Sequence, residues 1–264
     1  MSDLLIFDFD GVISNSIHDS YLSAINTYIE FVPGHSLPVP KAIAPPKAIF
    51  DFEKEEPEMY EDFLNLIPMG NEAADYYVIF SIMDKGIASE IKTEEDYQAF
   101  KDTLPVEVRE TFGRLFYSRR VERQKTEGAA WSELLPSFPG IPEAIRKLSR
   151  KFTLGIATSK DFKSVEIQLA SYGLSDLFDP NLILDKDFSY SKRKHIIALQ
   201  ERTSIPYSHI HFIDDKVLHL NATYDLGIHC YLSTWGFNTP REHAIAQQAG
   251  FTLLSLEGLR GLGG

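Results

Sequence analysis

The sequence predicts an α/β fold in which a doubly wound parallel sheet carries an inserted helical domain. In the second half of the chain, short β-type runs alternate with segments of helical period, the order typical of a parallel sheet covered by helices on both faces. A first strand-like run, Leu4–Phe7, stands apart from the others. Residues 17–133 separate them, and these residues show helical periods with almost no alternation.

The predicted strands are short runs rich in β-branched and aromatic residues. After Leu4–Phe7 they are Phe152–Ala157, Asn181–Leu184, His209–Ile213, Ile228–Leu232 and Phe251–Leu254. The helical patterns that lie among them are Pro142–Arg150, Phe162–Tyr172, Lys194–Arg202, Val217–Leu226 and Arg241–Gln248. Pro139-Gly140 followed by Pro142 indicates a turn that leads into a helix start.

We therefore divide the chain into an α/β domain and an inserted helical domain. The α/β domain comprises residues 1–16 and 134–264, and the insert comprises residues 17–133. A proline-rich stretch, Pro33–Pro46, interrupts the helical pattern of the insert. Ligands of open parallel sheets bind at the carboxyl ends of the strands, so an insertion that leaves from there covers the ligand. The insert is accordingly interpreted as a lid.

Three arginines lie on one predicted helix of the insert, in a region whose apolar residues recur at helical spacing within residues 108–116. They are Arg119, Arg120 and Arg123. Charged residues clustered on a helix usually belong to its solvated face, and we interpret these three in that way, with contact of one of them to the substrate as the alternative.

Composition limits the possible classes of protein. With 264 residues, 44% hydrophobic and 24% charged, the chain is typical of a globular protein. Its apolar runs are shorter than a membrane span and no signal-type segment opens it, so we expect a cytoplasmic protein. A net charge of −12 disfavours nucleic acid and anionic membranes as partners, although not a small anionic ligand. The single cysteine, Cys230, excludes an internal disulfide, and the oligomeric state stays open.

Two carboxylates follow the first predicted strand, in the run Asp8-Phe9-Asp10-Gly11. Side chains alternate along a strand, so Asp8 and Asp10 would share one side, while Gly11 lets the backbone turn away. Two anionic groups this close require a cation, and their hard oxygen ligands suit Mg²⁺. The sequence therefore predicts a magnesium site at the end of this strand.

Three further polar signals occur at predicted strand ends or helix starts. Thr158-Ser159 follows Phe152–Ala157 and offers a hydroxyl and backbone N–H groups to an anion, although a threonine there is also a common helix N-cap. The basic run Ser191–Lys194 precedes a helix and includes Lys192, which could neutralise a phosphate. Asp214-Asp215 ends another strand and repeats the paired acids of the first.

In order and spacing, these residues resemble the four motifs of the haloacid dehalogenase-like (HAD) superfamily, whose core is a Rossmann-like sheet. The resemblance covers nearly the whole chain. It includes the helical insert, which corresponds to the cap of the phosphoglycolate phosphatase and β-phosphoglucomutase branch. The connecting segments Phe138–Ala144 and Asn221–Gly227 also resemble that branch.

The resemblance implies a chemical role for each aspartate. Asp8 would attack phosphorus and form an aspartyl-phosphate, which splits hydrolysis into two easier steps. Asp10 would protonate the leaving oxygen and then activate water. Asp8, the backbone carbonyl of Asp10, and Asp215 would bind Mg²⁺, with Asp214 acting through water or as an alternative ligand.

The phosphate-binding residues implied by the resemblance are Thr158, Ser159 and Lys192, which would hold the phosphoryl oxygens as charge redistributes. Other basic residues are close enough in sequence to compete with Lys192 for this role. They are Lys186, Arg193 and Lys194.

The implied function is a Mg²⁺-dependent phosphatase acting on a small phosphorylated metabolite. The presence of Asp10 favours phosphoryl transfer, because dehalogenases expel halide and lack this second acid. A phosphomutase is the nearest alternative, disfavoured by Ser20, where such mutases carry histidine. A binding or regulatory protein on the same scaffold is the third. The sequence does not name the substrate, and Asn15-Ser16 departs from the acid common at that point of the family pattern.

Overall fold

The computed structural model describes residues 2–39, 48–70 and 72–262. Two compact units share the chain: Met1–Ser16 with Pro136–Gly264, and Ile17–Leu135. Residues 40–46 of the proline-rich stretch lie outside the described residues. No helix within the described ranges is long and apolar enough to cross a membrane.

The inserted unit is helical, and residues 17–39, 48–70 and 72–135 contain no strand. Its core is aromatic: the ring of Tyr21 lies 4.7 Å from that of Phe63 and stacks at 6.0 Å on Phe80. The α-helices are α1 (Ile17–Phe31), α2 (Ala48–Glu55), α3 (Pro57–Leu66), α4 (Asp75–Asp84), α5 (Glu94–Asp102), α6 (Val106–Glu127) and α7 (Ala129–Ser132).

A fully buried carboxylate, Asp19 on α1, joins three helices of this unit. Arg120 Nε and Arg123 Nη1 of α6 lie 2.7 Å and 3.6 Å from its oxygens, and the indole N–H of Trp131 on α7 donates to it at 3.0 Å. The side chains of Arg120 and Arg123 are only 14% and 10% exposed. The interpretation of these two arginines as a solvated face is therefore wrong, because a buried acid on another helix compensates their charge.

We expect Asp19→Ala to destabilise the protein by about 3–5 kcal/mol, because it removes a buried carboxylate that pairs with Arg120 and Arg123 and accepts from the indole N–H of Trp131. The measurement is the free energy of unfolding in denaturant. Glu30→Ala is a matched control, since Glu30 also joins α1 to α6, through the partly exposed Arg119. A surface pair of this kind contributes about 0–1 kcal/mol. A loss of stability at position 19 no larger than that at position 30 would contradict the expectation.

The other unit is built on a parallel sheet of six described strands. They are β1 (Asp3–Phe7), β2 (Phe152–Ala157), β3 (Ile183–Leu184), β4 (Ile210–Asp214), β5 (His229–Ser233) and β6 (Thr252–Leu254). Their order is β3-β2-β1-β4-β5-β6, and every neighbouring pair is parallel. This is the order of the doubly wound Rossmann fold, so the predicted fold class is confirmed.

Helices pack on both faces of this sheet. They are α8 (Ile141–Leu148), α9 (Phe162–Ser171), α10 (Lys192–Thr203), α11 (Val217–Asn221), α12 (Pro240–Gln248) and α13 (Leu256–Gly261). Side chains of β1 alternate between two apolar clusters: Leu5 and Phe7 join residues of α8, α9 and α13, whereas Leu4 and Ile6 join residues of α10, α11 and α12. Burial on both faces explains the continuous apolar character of this strand.

The bounds of the helices differ from their sequence patterns by a few residues, most clearly in two helices. Helix α10 begins at Lys192 rather than Lys194, because the side chain of Ser191 caps it by accepting from the backbone N–H of Lys194. The pattern Val217–Leu226 is helix α11 followed by a separate 3₁₀ turn, which Gly227 ends in the left-handed region at φ 81°. The first difference places Lys192 in the opening turn of α10.

Candidate active site

The loop after β1 begins with Asp8 and continues the pairing with β4, since Asp8 N–H donates to the carbonyl of Ile213 at 2.8 Å. Asp8 is buried, and its Oδ1 accepts from the N–H of Phe9 at 2.6 Å. The chain then turns at Gly11, which has φ 82°. A Cβ atom there would lie 2.1 Å from Oδ2 of Asp215, so glycine lets the loops after β1 and β4 approach closely.

Lys192 is the basic residue that reaches Asp8. Its buried Nζ lies 2.7 Å from Oδ1 of Asp8 and 3.3 Å from Oδ2 of Asp214, and it donates to the carbonyl of Ala157 at 2.7 Å. The two carboxylates outweigh the opposing effect of burial and raise the pKa of Lys192, so the ammonium keeps its proton. The competing bases lie elsewhere: Lys186 pairs with Asp187, Arg193 pairs with Asp225, and Lys194 is exposed.

Asp214 is the more strongly compensated member of the acid pair at the end of β4. Nδ1 of His219 on α11 lies 2.9 Å from both of its oxygens, and the N–H of Lys216 donates to Oδ1 at 2.9 Å. Burial alone would raise the pKa of Asp214, but the charges of His219 and Lys192 and these hydrogen bonds lower it to about 2. Asp214 is therefore a carboxylate already matched to cations of the protein.

Asp215 has the opposite electrostatic environment. It is buried, and its Oδ2 accepts from the backbone N–H of Phe237 at 2.9 Å. Burial and the nearby charges of Asp214 and Asp8 hold its pKa well above the usual range for a carboxyl group. Burial likewise raises the pKa of Asp8, with Lys192 opposing the effect. A further cation beside these two acids would favour their carboxylate forms.

The donor set fits Mg²⁺. Asp8, Asp214 and His219 offer ligand atoms within 4.8 Å of one another, but Asp214 already contacts the Lys192 ammonium and Nδ1 of His219. The carboxylate oxygens of Asp8 and Asp215 are the ligands that would suit a bound cation. The missing side chain of Gly11 provides the space for the loops to converge there.

Thr158 and Ser159 occupy the loop after β2, next to β1 in the sheet. Thr158 is buried, its N–H donates to the carbonyl of Leu184 at 2.9 Å, and Ser159 is half-buried. The N-cap of the following helix α9 is Asp161, whose side chain accepts from the N–H of Ser164 at 2.9 Å. The N-cap alternative for Thr158 is therefore wrong, and its hydroxyl instead accepts from the N–H of Lys160 at 3.1 Å.

Asp10 is the partly exposed acid of the site, with 30% of its side chain accessible. Nζ of Lys160 donates to its two oxygens at 2.8 Å and 3.1 Å. Sequence reasoning missed Lys160 and also His219. Lys160 stands two residues after Thr158 in the same strand-end loop, and His219 lies on the helix that follows Asp214-Asp215. Their closeness to a strand end in the sequence could have identified both residues.

Solved structures of similar fold include a candidate phosphoglycolate phosphatase from Lactobacillus delbrueckii subsp. bulgaricus, with a TM-score of 0.67, 16% identity and 98% of each chain covered. Another is a haloacid dehalogenase-like family protein from Streptococcus pneumoniae, with a TM-score of 0.56, 16% identity and coverage of 99% of this chain and 97% of the other. At these identities the likeness shows the fold.

A curated relative, the phosphoglycolate phosphatase of Synechococcus elongatus, is 28% identical over 121 residues. The match spans 46% of this chain and 55% of the relative, so the chain covers about half the length of that protein. The family model of haloacid dehalogenase-like hydrolases matches residues 75–232, which is more than half of the chain and includes Thr158, Lys192 and Asp214-Asp215. This chain belongs to the haloacid dehalogenase-like hydrolase family.

Proposed function

We propose that this protein is a Mg²⁺-dependent phosphatase that hydrolyses a small phosphate monoester through an aspartyl-phosphate on Asp8. The proposal rests mainly on the buried Asp8, which lies at the carboxyl end of the central strand β1. Its Oδ1 lies 2.7 Å from the ammonium nitrogen of Lys192. Ligands of doubly wound sheets bind at this edge, where the strand order reverses between β1 and β4. A carboxylate fixed in that position beside a buried cation suits nucleophilic attack on an anionic ester.

The residues of the chain divide the chemistry between them. The contacts from Phe9 N–H and Lys192 both end on Oδ1 of Asp8 and fix the orientation of this nucleophile. Lys192 and Thr158 offset the charge that develops on the phosphoryl oxygens. Asp10, two residues beyond the nucleophile and partly exposed, donates the proton to the leaving oxygen and later takes one from the attacking water.

Asp8, the backbone carbonyl of Asp10, and Asp215 are the residues that would hold Mg²⁺. When bound, the ion supplies positive charge that offsets the carboxylates and the phosphoryl group. The raised pKa of Asp215 supports this assignment, since burial and the charges of Asp214 and Asp8 are its main causes and a bound cation would offset them. Asp214 supports it indirectly, because its oxygens already contact Lys192 and His219.

For the substrate, we propose a small phosphorylated metabolite and take 2-phosphoglycolate as the first compound to assay. The support is the relative from Synechococcus elongatus, which carries that activity in its name. p-Nitrophenyl phosphate is the general reporter, because its good leaving group makes few demands on substrate-specific contacts.

The test measures hydrolysis of both esters with Mg²⁺ and after chelation, in the wild type and in Asp215→Asn. We expect the wild type to require Mg²⁺ and the variant to need a higher Mg²⁺ concentration for half-maximal activity, on the order of tenfold or more. Asp225→Asn is the matched control, an exposed acid paired with Arg193, and it should leave the Mg²⁺ dependence unchanged. Full activity in excess chelator, or no hydrolysis of any ester in a panel of phosphorylated sugars, nucleotides and glycolate, would refute the proposal.

A further inference from the structure

The two buried lysines of the site serve different carboxylates. Lys192 contacts Asp8 and Asp214, whereas Lys160 contacts Asp10 through both of its oxygens, at 2.8 Å and 3.1 Å. A single ammonium bound to both oxygens restricts how the carboxylate can rotate about its side-chain bonds. In the proposed mechanism Asp10 must present an oxygen to the leaving group. A contact that restricts rotation of its carboxyl group therefore also determines the direction in which this oxygen points.

Lys160 is held firmly enough to restrict Asp10. Its side chain is 1% exposed, although lysine side chains are usually solvated. The backbone on either side of it is anchored, because its N–H donates to Oγ1 of Thr158 at 3.1 Å and its carbonyl accepts from the N–H of Lys186 at 3.3 Å. The ammonium also lies 5.8 Å from the ring centroid of Phe9, the residue between Asp8 and Asp10.

We propose that Lys160 is a positioning residue, which aims the carboxyl group of Asp10 at the oxygen of the leaving group. The inference rests on the proposed phosphatase function. When the bond from phosphorus to the leaving oxygen breaks, that oxygen takes the proton of Asp10. When water then attacks the aspartyl-phosphate, Asp10 takes a proton from the water. Lys160 donates no proton to the leaving group in this proposal, and its contribution is to hold Asp10 in place.

This role differs in a measurable way from direct phosphate binding by Lys160. A phosphate ligand contributes equally to every ester, because the phosphoryl group is always the same. During formation of the aspartyl-phosphate, a residue that acts through Asp10 contributes only where the leaving oxygen needs a proton, whereas the later attack of water is the same for every ester. Alkyl esters such as 2-phosphoglycolate need one, whereas p-nitrophenolate leaves readily without it.

The experiment compares kcat/KM for 2-phosphoglycolate, or the best alkyl ester of the panel, with kcat/KM for p-nitrophenyl phosphate at saturating Mg²⁺, because this parameter covers formation of the aspartyl-phosphate and leaves out the water step. We expect Lys160→Met to lower kcat/KM on the alkyl ester by about tenfold to a hundredfold, the cost of a misplaced catalytic group. Loss on p-nitrophenyl phosphate should stay within about threefold, since general acid help matters little there. Lys163→Met, at a position on α9 with a 74% exposed side chain, is the matched control and should match the wild type on both esters.

A double variant provides a second test, which is independent of the comparison of esters. If Lys160 acts through Asp10, Asp10→Asn with Lys160→Met should be no slower than Asp10→Asn alone, because the group being positioned is already gone. Lys160→Arg, which keeps a cationic donor, should recover part of the loss on the alkyl ester. Should Lys160→Met fail to fold, Lys160→Arg and Lys160→Gln carry the same comparison of esters.

Equal losses on both esters, or a further loss in the Asp10→Asn background, would overturn the positioning role. The activity of the wild type on the two esters distinguishes failure of the positioning role from failure of the proposed function. A wild type that hydrolyses neither ester refutes the phosphatase, whereas an active wild type with an ester-independent effect at Lys160 refutes only the inference about this residue.

Discussion

Replacing Asp8 with Asn is expected to abolish turnover while leaving the fold intact. The substitution removes the nucleophilic carboxylate but keeps the volume of a buried side chain at the end of β1. We expect kcat to fall by a factor on the order of 10⁴ or more, as when other covalent nucleophiles are deleted. Steady-state hydrolysis of p-nitrophenyl phosphate at saturating Mg²⁺ measures the loss.

The control for Asp8→Asn is structural, because Lys192 loses one of its two carboxylate partners and keeps Asp214 at 3.3 Å. Circular dichroism and a cooperative thermal transition would show that the variant remains folded. Residual activity within about tenfold of the wild type, in a folded variant, would remove Asp8 from the role of nucleophile.

Asp10→Asn is expected to lower kcat by roughly 10²–10⁴, the usual contribution of a general acid or base. The amide cannot donate the proton that an alkoxide leaving group requires, nor accept one from water. The loss should therefore be greatest with alkyl phosphates and least with p-nitrophenyl phosphate. The measurement is kcat/KM, which covers formation of the aspartyl-phosphate, for a series of esters that differ in the basicity of their leaving groups.

The control for this series is Asp8→Asn, whose loss should be large for every ester. A uniform loss of kcat/KM across the series in Asp10→Asn would count against a role of Asp10 in protonating the leaving oxygen. It would also remove the basis for the positioning role of Lys160, since that residue is inferred to act through Asp10.

The fold class could be predicted because the responsible patterns are local. Runs such as Phe152–Ala157 are apolar since both faces of the sheet are covered, and the structure places β2 at those residues. The same locality identified the strand-end pairs Asp8/Asp10 and Asp214/Asp215, because each pair lies within a few positions of a strand whose end is visible in the sequence.

Among basic residues near the start of α10, sequence alone left several candidates beside Lys192. Their side chains diverge because neighbouring positions on a helix face different directions. The structure brings Lys192 to Asp8 at 2.7 Å, whereas Arg193 pairs with Asp225 and Lys194 remains exposed. The helix start at Lys192, capped by Ser191, was therefore the missing information.

By itself, the sequence determined the α/β class, the inserted helical segment and the acids that end β1 and β4, since each depends on residues close together in the chain. Only the tertiary structure decided which charges meet. Lys160 and Asp10 are separated by 150 positions, and Asp19 lies more than a hundred positions from the arginines that compensate it. Such pairs form because packed strands and helices bury their charges together, and burial makes a specific partner necessary. This need for a specific partner arises only on folding, so no periodic pattern in the sequence reveals the pairs.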